Sequence, residues 1–485
     1  MSFLPLRRWV PAGHDETVTK TELRTSAPTP AAAPASGGLG VLQGTALYVA
    51  AVLGTGILVL PGLAAQAAGP ASILAVAAVF VLSIPLAGTF AALAARYPDA
   101  GGVASFVRRA LGDTLARMTG YWFFFGVGAG APVVAVLGAD YVAAIIGVDR
   151  AAVPWLASAL LVPPFVANYF GVRVSGVAQL ALTAGLLGIV IGVVAVAAPA
   201  ADPGNFTPFL SRGWGGVGAA ISLFVWAFAG WEVGTHIAGE FRNPRRTIPI
   251  ATAIALVVVG LSYLALQYVT VGVLGAAAGT GRVPLLDLVA ASTFGVGPVL
   301  VAVIAAIVTL GVLNAYIGAF AKLAASLGRD GDLPSWLAPG AEAGGVPRRA
   351  LAVVAGLLAV YSALMLATGM QLAPFILTHT SSMVAIYVLG MVAAVRLLRT
   401  GSTGWWLAAV SVVLTIGLLL LAGVYLVVPA GLAGVAELVG LLTRRGRSRV
   451  RTHPVEVRAD PVHPARLAAE SRDALPAPSR SAERE

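Results

Sequence analysis

Apolar residues recur along the chain in blocks of roughly 20, the length an α-helix needs to cross a hydrocarbon core of about 30 Å. The blocks occupy residues 40–67, 71–95, 118–147, 153–171, 175–198, 217–239, 248–274, 295–327, 350–369, 372–395, 404–421 and 423–442. This pattern predicts an all-α integral membrane protein with about twelve transmembrane helices. The last two blocks run together with only Gly423 and Pro429 as punctuation, so eleven is the competing count. An even count puts both termini on one side.

Composition agrees with the pattern. Of 485 residues, 58% are hydrophobic and 11% charged, with a mean hydropathy of +0.89, more apolar surface than a water-soluble fold can cover. The absence of cysteine excludes disulfides, a thiolate nucleophile, an iron–sulfur cluster and a Cys-type zinc site. Nothing calls for a cofactor. The formal charge of +10 raises the question of nucleic acid, but the basic residues sit in short loops and tails, with no basic stripe interleaved with aromatics, which argues against it. Residues 1–38 are Ala/Pro/Thr-rich and hold Asp15 and Glu16 without an apolar h-region, which reads as a solvated cytoplasmic tail rather than a cleaved signal. Residues 443–485, rich in Arg, Pro, Ala and Glu, read as a disordered basic tail. Residues 39–442 are the membrane domain.

Lysine and arginine near span ends are retained on the cytoplasmic side. With twelve spans and the N-terminus inside, the inner segments hold 28 of the 31 basic residues, and the outer loops hold only Arg150, Arg212 and Arg282. With both tails set aside, the ratio is still 14 to 3. Both termini are therefore expected in the cytoplasm and the chain in the cell membrane, in contact with lipid.

A bilayer offers no water to unpaired backbone groups, so a break in a spanning helix survives only where protein or a hydrated cavity satisfies it. Two breaks stand out. The first span carries Gly54-Thr55-Gly56-Ile57 at its middle, followed by Pro61-Gly62, and the sixth carries Ala229-Gly230 within Trp226-Ala227-Phe228-Ala229-Gly230-Trp231-Glu232. The second break lies five spans on from the first, which predicts a 5+5 inverted repeat, each half opening with a broken helix, plus two C-terminal helices. Small-residue helix packing would also explain one isolated Gly-x-Gly. Matched placement in both halves, with an acidic residue beside the second break, favours a binding site.

Glu232 is that acidic residue. A carboxyl at membrane depth costs about 2.5–3.5 kcal/mol on insertion scales, so it needs a reason. It reads either as a neutral acid hydrogen-bonded to the broken helix or as a proton-coupling or gating carboxylate. Asn168, Gln267, Asn314 and His379 with its Thr378–Ser382 neighbours read first as hydrogen bonds between helices. Trp226, Phe228 and Trp231 read as core aromatics or as walls for an apolar ligand.

These residues resemble the amino acid-polyamine-organocation superfamily over nearly all of 40–442. Gly54-Thr55-Gly56-Ile57 with Leu60-Pro61 is similar to its first-helix substrate motif, and Tyr97-Pro98-Asp99-Ala100-Gly101-Gly102-Val103-Ala104-Ser105-Phe106-Val107 to its loop between the second and third helices. Phe228–Glu232 followed by Glu240-Phe241-Arg242-Asn243-Pro244-Arg245-Arg246-Thr247-Ile248-Pro249 is similar to its sixth helix and the following loop. Within the superfamily, the stretch 100–106 and His236-Ile237-Ala238-x-Glu240-Phe241 look most like the bacterial exporters of methionine and branched-chain amino acids. The resemblance implies a leucine-transporter-like fold and efflux of neutral apolar amino acids; the export direction comes from the resemblance alone.

The chemistry of the breaks agrees on substrate class. A zwitterion's carboxylate can take amides after Gly54-Thr55-Gly56, while its ammonium takes carbonyls near Trp226 to Ala229. The deep surroundings are Ala, Val, Leu, Phe and Trp, which suit a neutral apolar side chain. The resemblance also implies where ions would couple. Sodium-dependent relatives use Ser/Thr hydroxyls in the eighth helix, where Thr309 to Phe320 offers Thr309 and Asn314 but no adjacent hydroxyl pair, and some proton-linked relatives carry a lysine in the fifth, which here has Ser175, Gln179 and Thr183. That leaves exchange, uniport or proton coupling through Glu232. Uptake, exchange of another substrate, and a sensor without flux stay open, as does oligomeric state. A membrane enzyme would need clustered acids and histidines, but Glu232, His236 and His379 offer only one i, i+4 pair. A channel would want a filter or ring.

Overall fold

The computed structural model describes residues 38–97, 102–171, 176–236, 238–291, 298–342 and 345–451, apart from the side chains of 176–179, 298 and 443–451. The first expected span is two helices, α1 (Val41–Leu53) and α2 (Leu60–Ala68), and α2 turns at Gly69–Ala71 into α3 (Ser72–Arg96). After α4 (Gly102–Leu111), one span comprises α5 (Asp113–Tyr121), a π turn at Trp122–Gly126, a 3₁₀ turn at Val127–Ala129 and α6 (Gly130–Ile146). Then come α7 (Val153–Tyr169), α8 (Gly176–Ala197), α9 (Gly213–Ala227), α10 (Val233–His236), α11 (Pro244–Leu274), α12 (Pro284–Ala290) and α13 (Pro298–Asp330). The last four are α14 (Arg348–Ala367), α15 (Ala373–Leu397), α16 (Thr403–Leu421) and α17 (Val427–Arg451).

Among the described residues there is no strand, and ten helical stretches are long and apolar enough to cross a membrane. The chain is therefore a multi-pass membrane protein. Two further apolar helices, Val41–Leu53 and Gly213–Ala227, are shorter. They belong to the two spans the sequence marks as broken, and each stops at its break.

Several boundaries differ from expectation. α11 begins at Pro244 rather than at 248, because a proline in the first turn gives up only an amide that no helix would use. The carbonyl of Asn243 accepts from the amides of Arg246 and Thr247 at 3.0 and 2.8 Å. A 3₁₀ turn at Gly423–Leu426, with Gly423 at φ +54°, separates α16 from α17, so the last two blocks are two helices rather than one. The backbone of α17 stays helical to Arg451, beyond the expected end of the membrane domain at 442. The N-terminal segment 1–37 and the C-terminal segment from 452 lie outside the described residues. Two short helices, α4 and α12, fall in stretches the apolar pattern passes over as loops.

Close approach through small residues is the dominant packing device, as van der Waals contact requires when lipid is as apolar as the interface. Gly260 of α11 faces the Phe80 ring of α3 with no room for a Cβ. Polar links do the rest. Asn168 of α7 donates to the carbonyl and side-chain oxygens of Asn314 on α13, at 3.1 and 2.9 Å. At the end where α5 starts, Arg117 lies 2.5 Å from Asp332, which follows α13, and Arg108 of α4 reaches Asp113, Asp330 and Asp332. Leu39 forms a lone parallel bridge with Phe241: its amide donates to Glu240 at 2.9 Å and its carbonyl accepts from Arg242 at 3.1 Å.

Candidate functional site

The α1–α2 break is an opened backbone held by side chains from other helices. Gly54 sits at φ +35°, where a side chain would be strained, and Thr55 leads into the 3₁₀ turn Gly56–Leu58. Pro61 in the first turn of α2 restarts the helix. Three carbonyls along this stretch find donors from afar. The Tyr263 hydroxyl donates to Leu53 at 3.0 Å, the Tyr141 hydroxyl to Leu58 at 2.9 Å, and the Gln267 amide to Pro61 at 3.1 Å and to the Ser72 hydroxyl at 2.8 Å. Each acceptor is buried, where an unmet carbonyl costs about 1–3 kcal/mol.

The α9–α10 break runs from Phe228 to Glu232. Gly230 adopts φ +124°, a conformation side chains rarely take. Its amide is shared between Glu232 Oε2 and the Tyr387 hydroxyl, both at 3.1 Å, and that hydroxyl donates to the same Oε2 at 2.6 Å. Gly230, Glu232 and Tyr387 thus form a closed polar triangle. Glu232 is 4% exposed, and its own carbonyl accepts from the amide and the hydroxyl of Thr235 at 2.8 and 2.6 Å. The carboxyl does bond a backbone group at the break, as its sequence position suggests.

The two breaks touch. A Cβ on Gly56 would lie 3.4 Å from the Cα of Ala227 and 2.5 Å from the Tyr263 hydroxyl. A Cβ on Gly230 would lie 3.1 Å from the carbonyl oxygen of Ala51. Glycine is needed at Gly56 because the Tyr263 hydroxyl occupies the place of a Cβ, and at Gly230 because the Ala51 backbone does. Aromatic rings enclose the crossing: Phe228 stands 5.3 Å from Tyr263, Trp231 6.3 Å from Tyr48, and Trp226 6.0 Å edge-on to His379. Gly54, Thr55, Gly56, Ile57, Trp226, Phe228, Ala229, Gly230, Trp231 and Glu232 therefore all lie in or beside these two touching segments, and all are buried.

Of the other polar residues, Asn168 with Asn314, Gln267, His379 and Thr183 link helices, whereas the Ser381 and Ser382 hydroxyls donate to the Thr378 carbonyl of their own helix. His379 Nδ1 lies 2.9 Å from the Val127 carbonyl freed by the distorted span, and the hydroxyl of Thr183 donates to Ala46 of α1 at 3.2 Å. Thr309 packs against Gly138. Ser175, the side chain of Gln179, Ile237 and residues 98–101 of the second-to-third-helix motif lie outside the described residues. What remains of that motif meets another: His236 packs its imidazole onto Gly102, leaving no space for a side chain there. The tyrosines at 141, 263 and 387 are the residues that reading the sequence misses. A tyrosine in an apolar helix looks like core, and only the fold shows which carbonyl its hydroxyl reaches.

The amino acid permease family model matches residues 39–438. An uncharacterized amino acid permease of Bacillus subtilis, YecA, is 29% identical over 85% of this chain and 97% of its own. The L-methionine/branched-chain amino acid exporter YjeH of Escherichia coli is 32% identical over 74% of this chain and 86% of its own. The branched-chain amino acid permease BcaP of Bacillus subtilis is 26% identical over 49% and 55%. With a family match across nearly the whole membrane domain and relatives that are transporters rather than enzymes, the chain belongs to the amino acid permease family of the amino acid-polyamine-organocation superfamily.

Proposed function

We propose that this permease moves neutral, apolar amino acids, methionine, leucine, isoleucine and valine, across the cell membrane by alternating access, in the export direction. Both termini are cytoplasmic, and the ten long helices with the two broken ones make twelve spans, arranged as a 5+5 inverted repeat followed by α16 and α17. The observation that carries the substrate class is the charge inventory of the crossing. No lysine or arginine among the described residues is buried, and the one carboxyl at the crossing, Glu232, is already engaged by Tyr387 and Gly230. An acidic side chain would therefore meet no cation, and a basic one no uncommitted anion. The α-carboxylate goes to the backbone after Gly54-Thr55-Gly56, the ammonium to carbonyls around Trp226 to Ala229, and the side chain to Ile57, Phe228 and Trp231. The export direction is supported by the printed activity of the Escherichia coli relative. Glu232 carries the coupling proton.

Counterflow of labelled amino acids in proteoliposomes tests this directly. Unlabelled methionine, leucine, isoleucine and valine should each drive uptake of labelled leucine, while arginine, lysine and glutamate should not. Preferential arginine exchange would overturn the reading of the pocket, and absence of any flux would mark a sensor. Methionine extrusion from overexpressing cells checks direction.

A further inference from the structure

Asp140 and Tyr141 are neighbours near the C-terminal end of α6, and both reach the segment around α12. The Asp140 carboxylate, 6% exposed, lies 3.6 Å from the guanidinium of Arg282, just before α12. Tyr141 is fully buried, and its one hydroxyl serves two masters: it donates to the Leu58 carbonyl in the span-one break at 2.9 Å and accepts the Leu285 amide of α12 at 3.3 Å. The same segment is pressed closely onto α2, since a Cβ on Gly62 would lie 2.8 Å from the Pro284 ring and 3.4 Å from the Cα of Gly279. The ion pair thus ties the α12 segment to α6, the shared hydroxyl links it through α6 to Leu58 at the break, and the close approach at Gly62 seats it on α2.

We propose that Tyr141 is a positioning residue of the substrate site, acting through the Leu58 carbonyl, and that with the Asp140–Arg282 pair it makes the α12 segment and the span-one break move as one unit. The inference rests on the site and the orientation given under Proposed function. A hydroxyl whose lone pair and proton are both spoken for holds its two partners at a fixed separation. Lifting α12 removes the Leu285 donor and frees the ring to turn, which releases Leu58; displacing Leu58 pulls the ring and loosens α12. Arg282 anchors the same segment from the loop, where the ion pair is partly open to solvent and easily broken. Occupancy of the break is in this way reported at the outer face without any residue of α12 touching substrate.

The chain has no cysteine, so a single Leu285→Cys reporter, buried in α12, can be followed with a membrane-impermeant thiol reagent, alongside substrate affinity from binding to purified protein. Arg282→Gln should raise the labelling rate about two- to fivefold, the factor that losing one partly exposed ion pair gives, with little change in methionine affinity, while Arg282→Lys restores slow labelling. Tyr141→Phe should raise labelling and also weaken methionine affinity about tenfold. Saturating methionine should slow labelling in the parent and not in Tyr141→Phe. Parent behaviour of Tyr141→Phe in both readouts overturns the coupling, as does an unchanged labelling rate in Arg282→Gln. A Leu288→Cys reporter, equally buried, replaces Leu285→Cys if that variant fails to insert. Labelling from the cytoplasmic face alone would overturn the orientation, and binding of no neutral amino acid would overturn the substrate assignment; the dependence of labelling on Tyr141 and Arg282 is read separately from either.

Discussion

Replacing Tyr387 with phenylalanine removes one hydroxyl and opens the triangle at the second break. The lost group donates to Glu232 Oε2 at 2.6 Å and shares the Gly230 amide at 3.1 Å. Gly230 keeps its other acceptor, Oε2 itself, at 3.1 Å, so the backbone is not orphaned and the damage concentrates on the carboxyl. A buried hydrogen bond to a charged group is worth about 1.5–3 kcal/mol and a neutral one about 0.5–1.5 kcal/mol. The phenylalanine ring fills nearly the same volume, so cavity terms are small. Tyr387→Phe should therefore destabilise the detergent-solubilised protein by about 1.5–3 kcal/mol if Glu232 is ionised in the resting state, and by about 1 kcal/mol if it is protonated. The measurement is a double-mutant cycle with Glu232→Gln, reading chemical unfolding and leucine exchange for all four proteins. Residues in direct contact should show a coupling of about 0.5–3 kcal/mol. Additive effects within about 0.3 kcal/mol would mean that the hydroxyl and the carboxyl act independently and that the triangle is not a coupled unit.

Gly56→Leu should insert normally and abolish transport, and Gly56→Ala should already impair it, because the added Cβ displaces the Tyr263 hydroxyl from the Leu53 carbonyl at a cost of about 1–3 kcal/mol; normal exchange by a correctly inserted Leu variant would refute the site. Glu232→Gln should retain binding and exchange while its flux loses most of its pH dependence, since the amide keeps the shape but cannot titrate; a pH profile matching the parent would give Glu232 a purely structural role. Gln267→Met should keep the packing of α11 but remove its links to the Pro61 carbonyl and the Ser72 hydroxyl, lowering unfolding stability by about 0.5–1.5 kcal/mol with a larger loss in exchange than in insertion, checked by denaturant titration beside counterflow.

The breaks were legible because glycine is costly in a helix and a bilayer punishes unpaired backbone, so Gly54-Thr55-Gly56 and Ala229-Gly230 stand out against their apolar runs. Their partners were not. Tyr141, Tyr263 and Tyr387 lie 83, 210 and 155 residues from the groups they bond, and nothing local distinguishes a tyrosine that satisfies a distant carbonyl from one that fills space. Gln267 stands out as a polar residue at depth, but only the fold supplies Pro61 and Ser72 as its partners. α12 escaped because seven residues are too few for a hydropathy signal. The distortion of the third span escaped for the opposite reason: Trp122-Phe123-Phe124-Phe125 is uniformly apolar and gives no cue that the helical register changes there.

That distortion also limits which insertions and deletions the gene can tolerate. A π turn amounts to one extra residue accommodated in an α-helix, and here it is stabilised from outside: the Tyr361 hydroxyl takes the Phe125 carbonyl, His379 meets the Val127 carbonyl, and the Trp122 indole donates to Pro429. Deleting one residue between Trp122 and Gly126 would let the span revert to plain α-helix, hydrophobic and fully able to insert. Because the bulge absorbs that residue, Asp140 and Tyr141 beyond it would keep their phase toward Arg282, Leu58 and Leu285, and the loss would fall on the three outside contacts. An extra residue in the plain α-helix between Gly130 and Asp140 would instead push everything beyond it on by about 1.5 Å and turn it through about 100°. A single-codon deletion within Trp122–Gly126 should therefore be tolerated better than a single-codon insertion between Gly130 and Asp140, which should yield a well-inserted, silent permease.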